Sequence, residues 1–99
     1  MPEFLNPFSG VVPRKMTKAE LIRAIRLNIA AEHEAVHLYM AHADAVDDAL
    51  ARKVLTDIAD EEREHIGEFM ELLRRLAPEE AELLEAGRKE VEEMARGAE

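Results

Sequence analysis

Cysteine is absent from this chain of 99 residues, which excludes disulfides, zinc–thiolate sites, iron–sulfur clusters and rubredoxin-type iron centres. That lack suits a reducing cytoplasm. Tryptophan is absent as well, and aromatic residues make up only 4% of the chain. The bulk is Ala, Leu, Glu, Arg and Lys, the composition of long helices rather than of sheets. No apolar run approaches the ~20 residues that a membrane span requires, and no signal peptide is read at the start. Positive charge is scarce: 13 Lys and Arg stand against 22 Asp and Glu, for a formal net charge of −9. Such a surface repels nucleic acid and attracts cations. Most of these carboxylates need do no more than solvate helix faces. A chain of this length forms one small domain, and two long helices enclose little core alone, so oligomerisation is expected.

Residues 1–16 read as an irregular arm. Pro2, Pro7 and Pro13 with Ser9-Gly10 forbid a continuous helix, yet Phe4, Leu5, Phe8, Val11 and Val12 are apolar. The arm either drapes over a neighbouring subunit or frays. Thr17-Lys-Ala-Glu20 is a capping-box pattern, and apolar periodicity then continues through Val46 without Gly or Pro. Asp44, Asp47 and Asp48 mark a turn, with Asp47 or Asp48 placed to cap a second helix from about Ala49 to Leu76. Gly67 sits inside that helix at modest cost and permits close approach of another backbone. Ala77-Pro78 ends it, and Pro78 suits the first position of a third helix whose early Glu79, Glu80 and Glu82 complement the helix dipole. That helix carries a thin apolar stripe of Ala81, Leu84, Val91 and Met94, broken by Gly87, and is expected to pack loosely on a partner. The expected class is therefore all-α: an antiparallel hairpin over 17–76 and a short C-terminal helix and tail over 77–99.

Two helical seams are violated at their middles. With alternating spacings of three and four, helix 1 reads Ile22, Ile25, Ile29, Glu32, Val36, Tyr39, Ala43, Val46, and helix 2 reads Leu55, Ile58, Glu62, His65, Phe69, Leu72, Leu76. Such seams face a partner helix. An ionised carboxylate buried there costs several kcal/mol unless something positive offsets it. Neither seam contains Lys or Arg. A protonated His65 offsets one carboxylate, not two from each chain, whereas a metal ion offsets all of them.

Hairpin geometry points the same way. Counted outward from a turn between Asp47 and Asp48, Glu32, Glu62 and His65 fall within about 5 Å of one level at ~1.5 Å rise per residue. The i, i+3 spacing puts Glu62 and His65 on one helical face. One Glu facing a Glu-x-x-His is half of the ligand set of ferritin-like di-iron bundles. The other half must come from a second subunit, so two hairpins would close into a four-helix bundle with the metals near a two-fold axis. Carboxylate and imidazole donors without thiolate suit iron or manganese, and zinc binds such a set too.

The stretches Ala31-Glu-His-Glu-Ala-Val-His-Leu-Tyr39, Asp60-Glu-Glu-Arg-Glu-His65 and Glu71-Leu-Leu-Arg-Arg75 resemble the encapsulated ferritin-like proteins, within the ferritin-like and rubrerythrin superfamily, over about residues 18–76. The resemblance implies a half-ferritin whose dimers form a ferroxidase centre and assemble into a ring-shaped decamer inside an encapsulin shell that stores the iron. It implies Glu32, Glu62 and His65 as iron ligands, with Glu62 bridging two irons, and it sets Tyr39 beside the centre. Tyr39 serves equally as a core residue with a satisfied hydroxyl. Glu34 resembles part of the route by which metal enters, although position 31 is alanine where a partner carboxylate is usual, and position 38 is leucine where an aromatic can occur. The closing Glu92-Glu-Met-Ala-Arg-Gly-Ala-Glu99 does not resemble an encapsulin targeting peptide, which fits a truncated chain, one fused to a shell, or a relative that works without one.

Anionic oxygen donors favour iron(III) over iron(II), and two irons held together can pass two electrons to dioxygen, making peroxide a product or intermediate. Ile29, Val36, Ile58 and Phe69 would keep the surround dry. Glu34, Glu61, Glu64, His33 and His37 are candidates for leading cations inward, and each is equally at home as plain surface, as is His42. Calcium, manganese or zinc could occupy the site in vitro. The competing readings are a half-rubrerythrin-type peroxidase using the same ligands, a dimeric helical module that metal merely staples, and a metal-free coiled coil, which leaves the carboxylates uncompensated.

Overall fold

A computed structural model of the chain, which describes Val12 and residues 14–98, contains helices α1 (Lys18–Ala45), α2 (Ala49–Leu76) and α3 (Pro78–Ala98) and no strand among the described residues. Phe4, Leu5, Phe8 and Val11 of the apolar arm lie outside the described residues. No helix is long and apolar enough to cross a membrane.

α1 and α2 each begin where a side chain satisfies backbone N–H groups that the first turn leaves without partners. At α1 the capping box is complete: the Glu20 backbone N–H donates to the Thr17 hydroxyl at 3.2 Å, and the Thr17 N–H donates to the Glu20 carboxylate at 2.9 Å. Arg14 grips both oxygens of Glu20, at 2.8 and 2.7 Å. That guanidinium, with the Thr17 N–H behind it, holds the Glu20 carboxyl down at about 2. Of the two turn aspartates, Asp48 is the cap, accepting from the Ala51 N–H at 2.9 Å. The end of α1 uses a device not visible in the periodicity. Arg52 reaches back from α2 to donate to the carbonyls of Ala43 at 3.3 Å and Val46 at 2.6 Å, which lack helical donors of their own.

The hairpin is antiparallel, and most of its buried side chains are alanines. The core comprises Ala24, Ile25, Ala43, Ala59, Ile66 and Ala77, and among the described residues no large side chain is fully buried. On α2 the buried positions are Ala59 and Ile66, each one residue beyond Ile58 and His65 of the sequence-derived seam. The contact with α1 is thus rotated from the expected one. Ala59 has only a methyl group, so the two backbones close in on its side, and the larger residues are turned outward. Ile58 is half-buried there, His65 is exposed, and Leu72 stays 41% exposed, on a flank roughly 40–80° round the helix from Glu62.

Ala77 alone separates α2 from α3. Its N–H donates to the Leu73 carbonyl at 2.9 Å, closing the last turn of α2. Near the start of α3, Glu80 pairs with Arg26 of α1. Beyond that point α3 leaves the hairpin: it buries no residue, and the molecule measures 51 × 47 × 22 Å, too broad for three helices lying side by side. With 21 residues α3 is a full-length helix rather than a short one, and it continues through Gly87. Arg88, paired with both Glu85 and Glu92, supports it locally. Leu83, Leu84, Val91 and Met94 all stand exposed along it.

Thr17→Ala should lower stability by about 1 kcal/mol, the usual cost of losing such a cap, read as a drop in thermal midpoint. Glu20 adds a pH signature. Its folded pKa of about 2 lies below the ordinary 4.5, so its stabilisation is complete above the unfolded value and fades as pH falls through the folded one. Thermal melts between pH 5 and pH 2 should therefore decline less steeply for Glu20→Gln than for the parent chain.

Candidate metal centre

Midway along the hairpin three titratable side chains converge. Glu32 comes from α1, and Glu62 and His65 come from consecutive turns of α2. One ligand atom from each lies within 4.8 Å of the other two, and among the described residues this is the group of three that could hold a metal ion. The His65 Nδ1 stands 3.4 Å from the Glu32 Oε2 and 3.6 Å from the Glu62 Oε2. The Glu32 and Glu62 side chains are only 23% and 19% exposed, while His65 is 48% exposed. The cluster therefore has a sheltered carboxylate floor and opens on the His65 flank.

Its electrostatics are unbalanced. The Glu32 Oε2 is buried and accepts no hydrogen bond; the His65 nitrogen is near enough for an ion pair when protonated but is not in hydrogen-bonding position. Arg63, next to Glu62 in sequence, pairs with Asp60 at 2.6 Å instead. A carboxylate oxygen only accepts, so an orphaned one in a sheltered site calls for a donor or a cation. Two carboxylates and one imidazole within coordinating reach of a common point fit a divalent metal of the iron, manganese or zinc kind. Three donors leave its coordination shell incomplete, with room for ligands from elsewhere.

The remaining candidates are distributed differently. Tyr39 lies two turns beyond Glu32 on the same side of α1 and is half-buried. Glu34 is exposed and lies roughly 160° round α1 from Glu32, so the structure does not bring it to the cluster. His33, His37, His42, Glu61 and Glu64 are all exposed. The open flank beside His65 carries Val54, Ile58 and Leu72; the sequence-derived seam holds Ile58 and Leu72 but not Val54. The flank's signal in the sequence is the alanine at 59, which draws α1 to the other side.

Removing the orphaned carboxylate should help the metal-free protein. Glu32→Leu should raise apo stability by about 1 kcal/mol, the lower end of the cost of an unsatisfied buried polar group. Manganese(II) should raise the melting temperature of the parent chain but not of the variant. A variant that melts lower than the parent without metal would show that Glu32 is already compensated.

Residues 14–88 match the family model described as EncFtn-like. Over 81 residues the chain is 56% identical to the encapsulin nanocompartment cargo protein EncC of Myxococcus xanthus, covering 82% of this chain and 62% of that protein. Over 90 residues it is 46% identical to the ferritin-like-encapsulin shell fusion protein of Pyrococcus furiosus, covering 91% of this chain and 26% of that one. The chain thus spans less than two thirds of the length of either relative. Among solved structures, the crystal structure of the encapsulated ferritin domain from Pyrococcus furiosus superposes with a TM-score of 0.79 at 43% identity, covering 90% of this chain and 91% of that one.

Proposed function

Since the chain belongs to the EncFtn-like family, we propose that it is a ferroxidase, oxidising iron(II) at a centre that two copies of it build together, in the service of iron storage and detoxification. The observation that carries this reading is the buried, unpartnered Glu32 Oε2 within reach of Glu62 and His65. One chain supplies two carboxylates and one imidazole, half of what two irons need in a ferritin-like bundle. A second copy placed against the open flank supplies the other half. The same docking covers Val54 and Leu72, which a single chain leaves 47% and 41% exposed.

Iron(II) is the substrate. Glu32 and His65 of each copy would hold iron, and Glu62, with two oxygens to share, would serve both ions. Two iron(II) and one dioxygen, with two protons from water, yield two iron(III) and one hydrogen peroxide, so electrons and atoms balance. Four carboxylates from two chains stabilise the ferric charge more than the ferrous and so favour oxidation. His65 donates through one nitrogen and leaves the other for solvent at the open edge. Ile29, Val36, Ile58 and Phe69 limit the water around the centre. On this reading Tyr39, two turns along the same side of α1, would face the approach to the centre.

The relatives support an encapsulin partner, one being named a cargo protein and the other a fusion to the shell. On this reading the chain works inside a nanocompartment in the cytoplasm, as separate cargo or joined to the shell, with its dimers gathered into a decamer. The shell then holds the ferric product that a helical hairpin cannot enclose. Exposed Glu34, Glu61 and Glu64 would raise the local concentration of iron(II) at the surface.

Glu32→Ala, Glu62→Ala and His65→Ala should each reduce iron(II) oxidation in air to the rate of buffer alone, followed by ferric absorbance. Parent-like rates in all three would remove the catalytic reading. Iron should also increase the dimer fraction in native mass spectrometry, because the ligands are divided between chains. If metal raises the melting temperature while oxidation stays at the buffer rate, the centre is a structural staple.

A further inference from the structure

A second set of metal-binding side chains lies on α1, away from the carboxylate cluster. His33 and His37 are four residues apart within the unbroken helix Lys18–Ala45, and both are exposed. Side chains at i and i+4 are neighbours on the helix surface, with Cβ atoms about 5–6 Å apart. Neither histidine takes part in a hydrogen bond or ion pair among the described residues, so no competing partner has to be displaced. The adjoining positions along this face are Ala30 and Ala41, both exposed, and a methyl group does not obstruct either ring. Arg26, the cation nearest along the same face, is paired with Glu80. The pair therefore offers two imidazole donors and leaves the remaining coordination positions to water.

We propose that His33 and His37 form a chelating site for a divalent late-transition ion, namely zinc, copper(II) or nickel(II), separate from the Glu32–Glu62–His65 cluster. The separation follows from helix geometry. His33 and His37 lie roughly 100° and 140° round α1 from Glu32, so one ion cannot touch both sets. The class of ion follows from the donors. Two imidazoles bind copper(II), nickel(II) and zinc more tightly than iron(II), whereas the carboxylate-rich cluster offers the harder oxygens that iron accepts. Water completes the coordination, and the net charge of −9 favours any cation. Such a site retains, at the surface, ions that would otherwise compete with iron(II) for the internal ligands. It is independent of whether that internal cluster is catalytic.

The test is calorimetric titration with zinc chloride of the untagged full chain carrying Glu32→Ala, Glu62→Ala and His65→Ala, so that internal binding is removed. One zinc per chain should remain. Adding His33→Gln or His37→Gln should weaken it by roughly tenfold to a hundredfold, the scale on which losing even a partner of a metal ligand is felt. His42→Gln, on a different face of α1, should leave it unchanged. Glutamine is a good helix former, and circular dichroism on each variant confirms that α1 persists. The proposal is overturned if the triple variant binds no zinc, if neither glutamine substitution weakens binding, or if His42→Gln weakens it equally.

Discussion

A carboxylate oxygen sheltered from water with no hydrogen-bond donor is the constraint around which the hairpin is arranged. Leaving it so costs about 1 kcal/mol, and the chain's own packing supplies no donor to return that cost. The Glu32 oxygen accepts no hydrogen bond, the nearby arginine is committed to Asp60, and His65 sits at the edge rather than in hydrogen-bonding contact. A fold that tolerates such a group has a use for it. In the proposed centre the group becomes an asset, because the feature that destabilises the empty hairpin is the one that would attract iron(II) and favour its oxidation by dioxygen.

The rest of the hairpin is consistent with a molecule that is incomplete alone. Its buried positions are mostly alanines, which bring two backbones close but bury little apolar area. The larger aliphatic side chains are divided among an open flank on α2, an exposed Leu38 on α1 and the length of α3. A small core and a large uncovered apolar surface are two views of one sequence decision. Alanine placed where leucine might have been trades internal burial for a face that another chain can cover.

Much of this was legible in the residues. Capping patterns and the Ala77-Pro78 break locate the helices because each depends on local backbone chemistry, and Thr17, Asp48 and Pro78 behave as that chemistry requires. The meeting of Glu32 with Glu62 and His65 was readable from chain distance to the turn, since a helix has a fixed rise. The rotation of α2 was not. A three-four pattern accommodates Ile58 or Ala59 equally well as the inward residue, and only the packing of one backbone on another decides between them. Arg52 closing the end of α1 was hidden for a similar reason, because a long flexible side chain has no periodic signature. Glu34, whose resemblance is to an entry route rather than to a ligand of the centre, stands exposed on another side of α1.

The single residue at Ala77 makes α3 a lever. Its 21 residues extend about 31 Å at 1.5 Å per residue, so a swing of only about 10° at the pivot carries the far end through roughly 5 Å. Little else restrains that swing, since α3 buries no side chain of its own and the ion pair between Arg26 and Glu80 grips it close to the fulcrum. Whatever surface meets the distal turns of α3 therefore meets a lever whose reach depends on a short tether, and small adjustments beside the hairpin become large displacements at its tip.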